Sequence, residues 1–152
     1  MSSFKGRYEY VLDSKGRLNI PVKLRKTLSS EARDTFVVTR GDEKCLYLYP
    51  LDEWTKLEER LHSLAQFNEK HRYMLRSLLS WTSDEIVLDS QSRISVPKNL
   101  LEFAEIEKEV VIIGALERIE VWNPKTFNEY LNSQQENYAT IVEQVMAAGL
   151  DK

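Results

Sequence analysis

The chain is 152 residues long, 42% hydrophobic and 30% charged, with a formal net charge of −3, a composition that predicts a folded domain and excludes a disordered or low-complexity polymer. No apolar run approaches the roughly 20 residues a membrane helix needs, and the opening MSSFKGRYEY has no hydrophobic stretch of the secretory type, so the expectation is a cytosolic protein. The one cysteine, Cys45, lies in the apolar run CLYLY; it excludes an intrachain disulfide and reads as a small buried hydrophobe rather than a nucleophile.

Along the chain, Tyr8, Tyr10 and Leu12 alternate with other residues, and Leu18 and Ile20 do the same beyond Lys15-Gly16. This period of two predicts two half-buried strands joined by a turn. Pro21 suits the first turn of a short helix that places Leu24 and Leu28 on one face and Lys23, Arg25 and Lys26 on the others. The runs Phe36 to Arg40 and Cys45 to Tyr49, on either side of Gly41-Asp42, predict a hairpin. From Asp52 to Ser80 two apolar series at spacings of three and four predict helices. One contains Trp54, Leu57, Leu61 and Leu64, the other Phe67, Met74, Leu75, Leu78 and Leu79.

The second half then repeats the first. EYVLDSKGRLNIPVKL, residues 9 to 24, matches EIVLDSQSRISVPKNL, residues 85 to 100, with eight identities at an offset of 76. The hairpin recurs too, as Val110 to Ile113 and Ile119 to Trp122 around a turn at Gly114 and Glu117. A third helix is expected from Thr126 to Ala148, with Gly149 as its stop. These helices either pack on the strands or reach a neighbouring subunit. One unit of about 45 residues is small for independent folding and would leave strand edges unpaired. Two such units interleaved about a pseudo-twofold axis into one α+β barrel solve both problems. The expected layout is therefore 1–76 and 77–152 as two repeats of one intertwined globular unit.

Charge separates the copies. Residues 1–30 hold seven basic side chains (Lys5, Arg7, Lys15, Arg17, Lys23, Arg25 and Lys26) against Glu9 and Asp13, a net +5. The equivalent window, 77–106, holds Arg93 and Lys98 against five acids, a net −3. Clustered cations release phosphate counterions, and an arginine fork can read guanine at a groove edge, so the first window is the stronger DNA candidate. Arg17 would read bases while Lys15, Lys23, Arg25 and Lys26 hold phosphates. Arg7 and Arg93 are further candidates. The alternative for Asp13 and Arg17, as for Asp89 and Arg93, is a structural bridge across the turn, with Pro21 and Pro97 kept in both copies for shape.

The twin D-x-x-x-R motifs, each followed by an apolar-Pro step, together with LYLYPLDEW (46–54) and EVVIIG (109–114), resemble the MraZ family over nearly the whole chain. Each repeat is also similar to the swapped-hairpin DNA-binding unit of the AbrB superfamily, most closely at IPVKLRKTL, residues 20–28. The resemblance implies a tandem swapped-hairpin barrel in a bacterial, nucleoid-associated transcriptional regulator. Such regulators are usually repressors of their own division and cell-wall gene cluster, and bind repeated double-stranded promoter elements as ring-like homo-oligomers. In AbrB-type units basic DNA contacts fall at the positions of Arg17, Arg25 and Lys26. No cofactor, small-molecule substrate or membrane is implied.

The competing reading is a protein-binding, antitoxin-like or scaffold module with its interface on the acidic half. His62 and His71, nine residues apart, fit no usual metal spacing, and Glu102, Glu105, Glu107 and Glu109 read as a solvated face. Trp54, Trp81 and Trp122 read as core or interface anchors rather than stacking platforms for bases. The sequence contains no nucleophile elbow, phosphate loop or zinc pattern, so an enzyme is the weakest reading.

Overall fold

A computed structural model describes residues 3–64 and 66–149. The first half runs β1 (Phe4–Val11), β2 (Arg17–Asn19), α1 (Val22–Lys26), a 3-10 turn (Ser30–Ala32), β3 (Thr35–Arg40), β4 (Leu46–Pro50), α2 (Leu51–His62) and α3 (Glu69–Leu79). The second runs β5 (Ile86–Val87), β6 (Arg93–Ser95), α4 (Lys98–Phe103), β7 (Glu109–Leu116), β8 (Arg118–Trp122), α5 (Pro124–Asn132) and α6 (Tyr138–Gly149). The architecture is mixed α+β.

Six strands form one antiparallel sheet in the order β1-β7-β8-β4-β3-β5, and β2 pairs with β6 as a separate ribbon. The halves are laced together: β1 pairs with β7, β5 with β3, β4 with β8, and β2 with β6. Each hairpin therefore takes a strand from the opposite half on its outer edge. Loop hydrogen bonds repeat the exchange, Leu12 N–H donating to the Lys108 carbonyl and Leu88 N–H to that of Asp34, both at 2.8 Å.

The residues that gave the strands their alternation form the core. Leu18, Ile20 and Leu24 of the first copy and Ile94, Val96 and Leu100 of the second share one buried cluster with Phe36, Leu48, Ile112 and Ile119. Burying each such aliphatic side chain contributes about 1.5–3 kcal/mol. That contribution explains how a ribbon with strands of three residues persists, since an isolated two-stranded ribbon is marginal in water. Trp54 and Trp122 are buried, and Trp81 lies half-buried against Phe103 at 5.2 Å between ring centroids.

Three expectations require correction. Gly114 does not turn the second hairpin; it sits inside β7 opposite Gly6, where an added Cβ would lie 2.3 Å from the Lys5 nitrogen. The reversal comes at Glu117, after Leu116 at φ 64°. The helix expected over 126–148 is two helices, because the Asn137 side chain accepts the Thr140 N–H at 2.8 Å and starts α6 anew. Pro21 and Pro97 stand at the N-caps of α1 and α4, one residue before the first turn; the Pro21 carbonyl accepts from Leu24 and Arg25 N–H.

Candidate nucleic-acid interface

The carboxylate of Asp13 organises the turn between β1 and β2. Its Oδ1 accepts the backbone N–H groups of Lys15 and Arg17, both at 2.9 Å, and its Oδ2 accepts from Arg17 Nε at 2.6 Å. Asp89 repeats the arrangement, accepting from the N–H groups of Gln91 and Arg93 and from Arg93 Nε, all at 2.9 Å. These are Asx turns extended by an ion pair, so one carboxylate fixes both the loop and the base of the arginine. The structural bridge is thus real, and it also aims the guanidinium.

The left-handed residue of each turn is Gly16 at φ 74° and Ser92 at φ 62°. A serine reaches that conformation at a steric cost glycine avoids, so losing the glycine adds strain without changing the shape. Both carboxyls are pulled below the ordinary range, first by the backbone N–H of the following arginine, which bonds the ionised form. Asp13 is held at about 2 against an ordinary 3.8.

In the ribbon Arg17 faces Ser95, Leu18 faces Ile94 and Asn19 faces Arg93. Leu18 and Ile94 are 0% and 1% exposed, so alternation turns Arg17, Asn19, Arg93 and Ser95 together onto the opposite, outer face. Arg93 Nη1 lies 3.5 Å from Asp13 Oδ2, which places Asp13 between the two arginines. The Asn19 side-chain amide donates to the Gln91 carbonyl at 2.9 Å. The two motifs, 76 residues apart in the chain, make one strip.

Around the strip, Lys15 is exposed on the turn, and Lys23 and Lys26 are exposed on α1. Arg25 is half-buried and its Nε donates to the Ile20 carbonyl at 2.9 Å, so it braces the entry to α1. Arg7 is held elsewhere: it lies 3.9 Å from Glu9 and 5.2 Å from the Phe127 ring of α5. Asn19 and Ser95 were missed in the sequence, although the same alternation that buries Leu18 and Ile94 marks them as outward neighbours of the arginines. Cys45 is fully buried and burial pushes its thiol upward, away from the thiolate a nucleophile needs. Among the described residues no group of His, Cys, Asp and Glu is arranged to hold a metal ion, and no helix is long and apolar enough to cross a membrane.

A family model described as "MraZ protein, putative antitoxin-like" matches residues 3–77 and 82–147. The chain belongs to the MraZ family. The Transcriptional regulator MraZ of Halothermothrix orenii is 47% identical over 138 residues, covering 91% of this chain and 93% of that protein. The Transcriptional regulator MraZ of Natranaerobius thermophilus is 39% identical over 143 residues, 94% and 96% of the two chains. MraZ proteins carry the name of transcriptional regulators and of no enzyme, and as a member this chain has a role in transcription regulation.

Proposed function

We propose that this MraZ chain is a sequence-specific DNA-binding repressor that uses the β2-β6 strip to read promoter DNA. The observation that carries the reading is the outward quartet of Arg17, Asn19, Arg93 and Ser95, rooted by Asp13 and Asp89 on a ribbon whose other face is core. A two-stranded ribbon fits the major groove, where arginine pairs with guanine O6 and N7 and asparagine with adenine N6 and N7. Lys15, Lys23 and Lys26 hold flanking phosphates, while Arg25 sets the start of α1. Arg7 sits outside this set. In this reading the laced strands form a swapped-hairpin barrel built from repeats 1–76 and 77–152. The chain acts in the cytoplasm, on the nucleoid, as a ring-like homo-oligomer that binds repeated elements upstream of its own division and cell-wall gene cluster.

The test is binding of purified wild-type and Arg17→Ala protein to the DNA upstream of its own gene, across a salt series. Arg17→Ala is expected to lower specific affinity roughly 10- to 100-fold with the fold intact by circular dichroism. Lys23→Ala is expected to weaken all DNA about equally and flatten the salt slope by about one. An unchanged affinity and slope in Arg17→Ala would overturn the assignment. Complete absence of salt-dependent binding by the wild type would favour the protein-binding, antitoxin-like module instead.

A further inference from the structure

Each end of the β2-β6 ribbon joins a turn from one repeat to the helix entry of the other. The Gly16 carbonyl accepts the Val96 N–H at 3.1 Å, just before Pro97 and α4, and the Ser92 carbonyl accepts the Ile20 N–H at 3.0 Å, just before Pro21 and α1. The loop after each helix completes the pattern. The Lys108 carbonyl accepts from Leu12 N–H and the Asp34 carbonyl from Leu88 N–H, both at 2.8 Å. The first turn therefore rests on the second repeat, where a Cβ added at Gly16 would lie 3.4 Å from Leu101 Cδ1 of α4.

Between that turn and α4 lies an open cleft of about 700 Å³, whose apolar lining is Leu12, Val96 and Leu101. Lys15, Lys98 and Lys108 line it with exposed side chains, and among the described residues none of the three ammonium groups has a hydrogen bond or an ion pair. Two carboxylates share the cleft. Asp13 is held by Arg17 Nε at 2.6 Å, with Arg93 Nη1 at 3.5 Å, which leaves Glu107 as the one uncommitted acid of the lining. Three ammonium groups thus face one uncommitted carboxylate, a net +2. Glu105 is taken by Lys44 at 3.2 Å, and Glu102 and Glu109 do not line the cleft.

The opposite end of the ribbon is an internal control. Gln91 stands where Lys15 does, Val22 where Lys98 does and Asp34 where Lys108 does, and that end has its cations on α1 instead, at Lys23 and Lys26. The same fold closes there with none of the three lysines, so the fold does not require them. Their side chains come from both repeats and meet only in the folded chain.

We infer that this cleft is a phosphate site, in which Lys15 of the first repeat and Lys98 and Lys108 of the second hold one backbone phosphate of the DNA that the strip reads. Ammonium groups on flexible stems act as point charges, which suits them to phosphate rather than to the bidentate reading of bases. The inference rests on the proposed DNA recognition and extends the interface into the half of the chain that carries the acidic window. A small phosphorylated molecule offers the same head group. DNA is the favoured source because Lys15 sits on the turn that aims Arg17, so a duplex seated on the strip brings its backbone past the cleft.

The experiment is fluorescence anisotropy of the DNA upstream of the gene across a salt series. The proteins are wild type, Lys98→Ala combined with Lys108→Ala, Lys15→Ala, the triple variant, and Lys70→Ala on α3 as an exposed control. The double variant is expected to bind specific and unrelated DNA roughly 3- to 10-fold more weakly and to flatten the salt slope by about one, with an unchanged melting curve. Lys15→Ala is expected to flatten it equally and the triple variant no further, because the three side chains share one phosphate. Lys70→Ala is expected to match wild type. A double variant with the wild-type slope, while Arg17→Ala still loses specific affinity, overturns this inference alone. A loss as large in Lys70→Ala, or a slope change of about three in the triple variant, overturns the shared site. Saturable binding of pyrophosphate at constant ionic strength, abolished in a double variant whose DNA slope is unchanged, reassigns the cleft to a free phosphorylated molecule and overturns the DNA assignment. A wild type with no salt-dependent binding rejects the proposed function and this site together.

Discussion

Asp13 is the residue on which the strip turns, since a single carboxylate accepts two backbone N–H groups and one guanidinium and has the second guanidinium within 3.5 Å. Its pKa is depressed to about 2 from 3.8, so the folded state favours the ionised form. Linkage sets the sign: the stabilisation is complete above the ordinary value and is lost as pH falls through the folded value. The melting temperature of the wild type is therefore expected to fall between pH 4 and pH 2 more steeply than that of Asp13→Asn, which has no such proton to take up. Asp89 acts in the same direction, so Asp13→Asn combined with Asp89→Asn should give the flattest profile, read by calorimetry across that range. At neutral pH Asp13→Asn is expected to melt lower than wild type, because its amide cannot reproduce the charge-assisted bond to Arg17 Nε.

At the level of elements, β1 runs beside Gly114 of β7 with no room there for a side chain. A Cβ there would meet Lys5 nitrogen, Cα and carbonyl carbon at 2.3, 2.5 and 2.7 Å, and these backbone atoms cannot rotate away. Gly114→Ala is expected to destabilise by about 1–3 kcal/mol, measured by urea unfolding, because an overpacked contact has to move one strand. That glycine also marks the limit of sequence reading. A glycine between two apolar runs is the usual sign of a turn, and only the pairing of β1 from the other half reveals it as a point of close backbone approach. The buried alternation of Leu18-Ile20 and Ile94-Val96 was legible, because period two is a local property. The pairing of β2 with β6 was not, since nothing local in Arg17–Asn19 names a partner 76 residues away; the duplication pointed only to an exchange of some kind. Charge along the chain ranks the first window above the second but carries no sign that Arg93 shares an outer face with Arg17. The break between α5 and α6 was hidden because Leu131 and Tyr138, seven apart, keep helical phase across it.

For the whole molecule, the proposed DNA binding and the proposed self-assembly make a joint quantitative expectation. A single strip engages few phosphates and binds weakly, while linked subunits on repeated elements gain from effective concentration, by as much as 10²–10⁴-fold. Titration of wild type against DNA carrying one element and several elements should show that gain. Equal affinities for both DNAs would count against multivalent recognition. The origin of the ribbon carries one more consequence. Its strands come from residues 17–19 and 93–95, and its inner face needs Leu100, Ile112 and Ile119 to close the core beneath it. A prematurely terminated chain that ends in the first half owns only one strand of the ribbon and only part of the core beneath it. If the strip reads the promoter of its own gene, incomplete translation products are silent there, and the feedback registers only molecules whose synthesis has been carried through the second repeat.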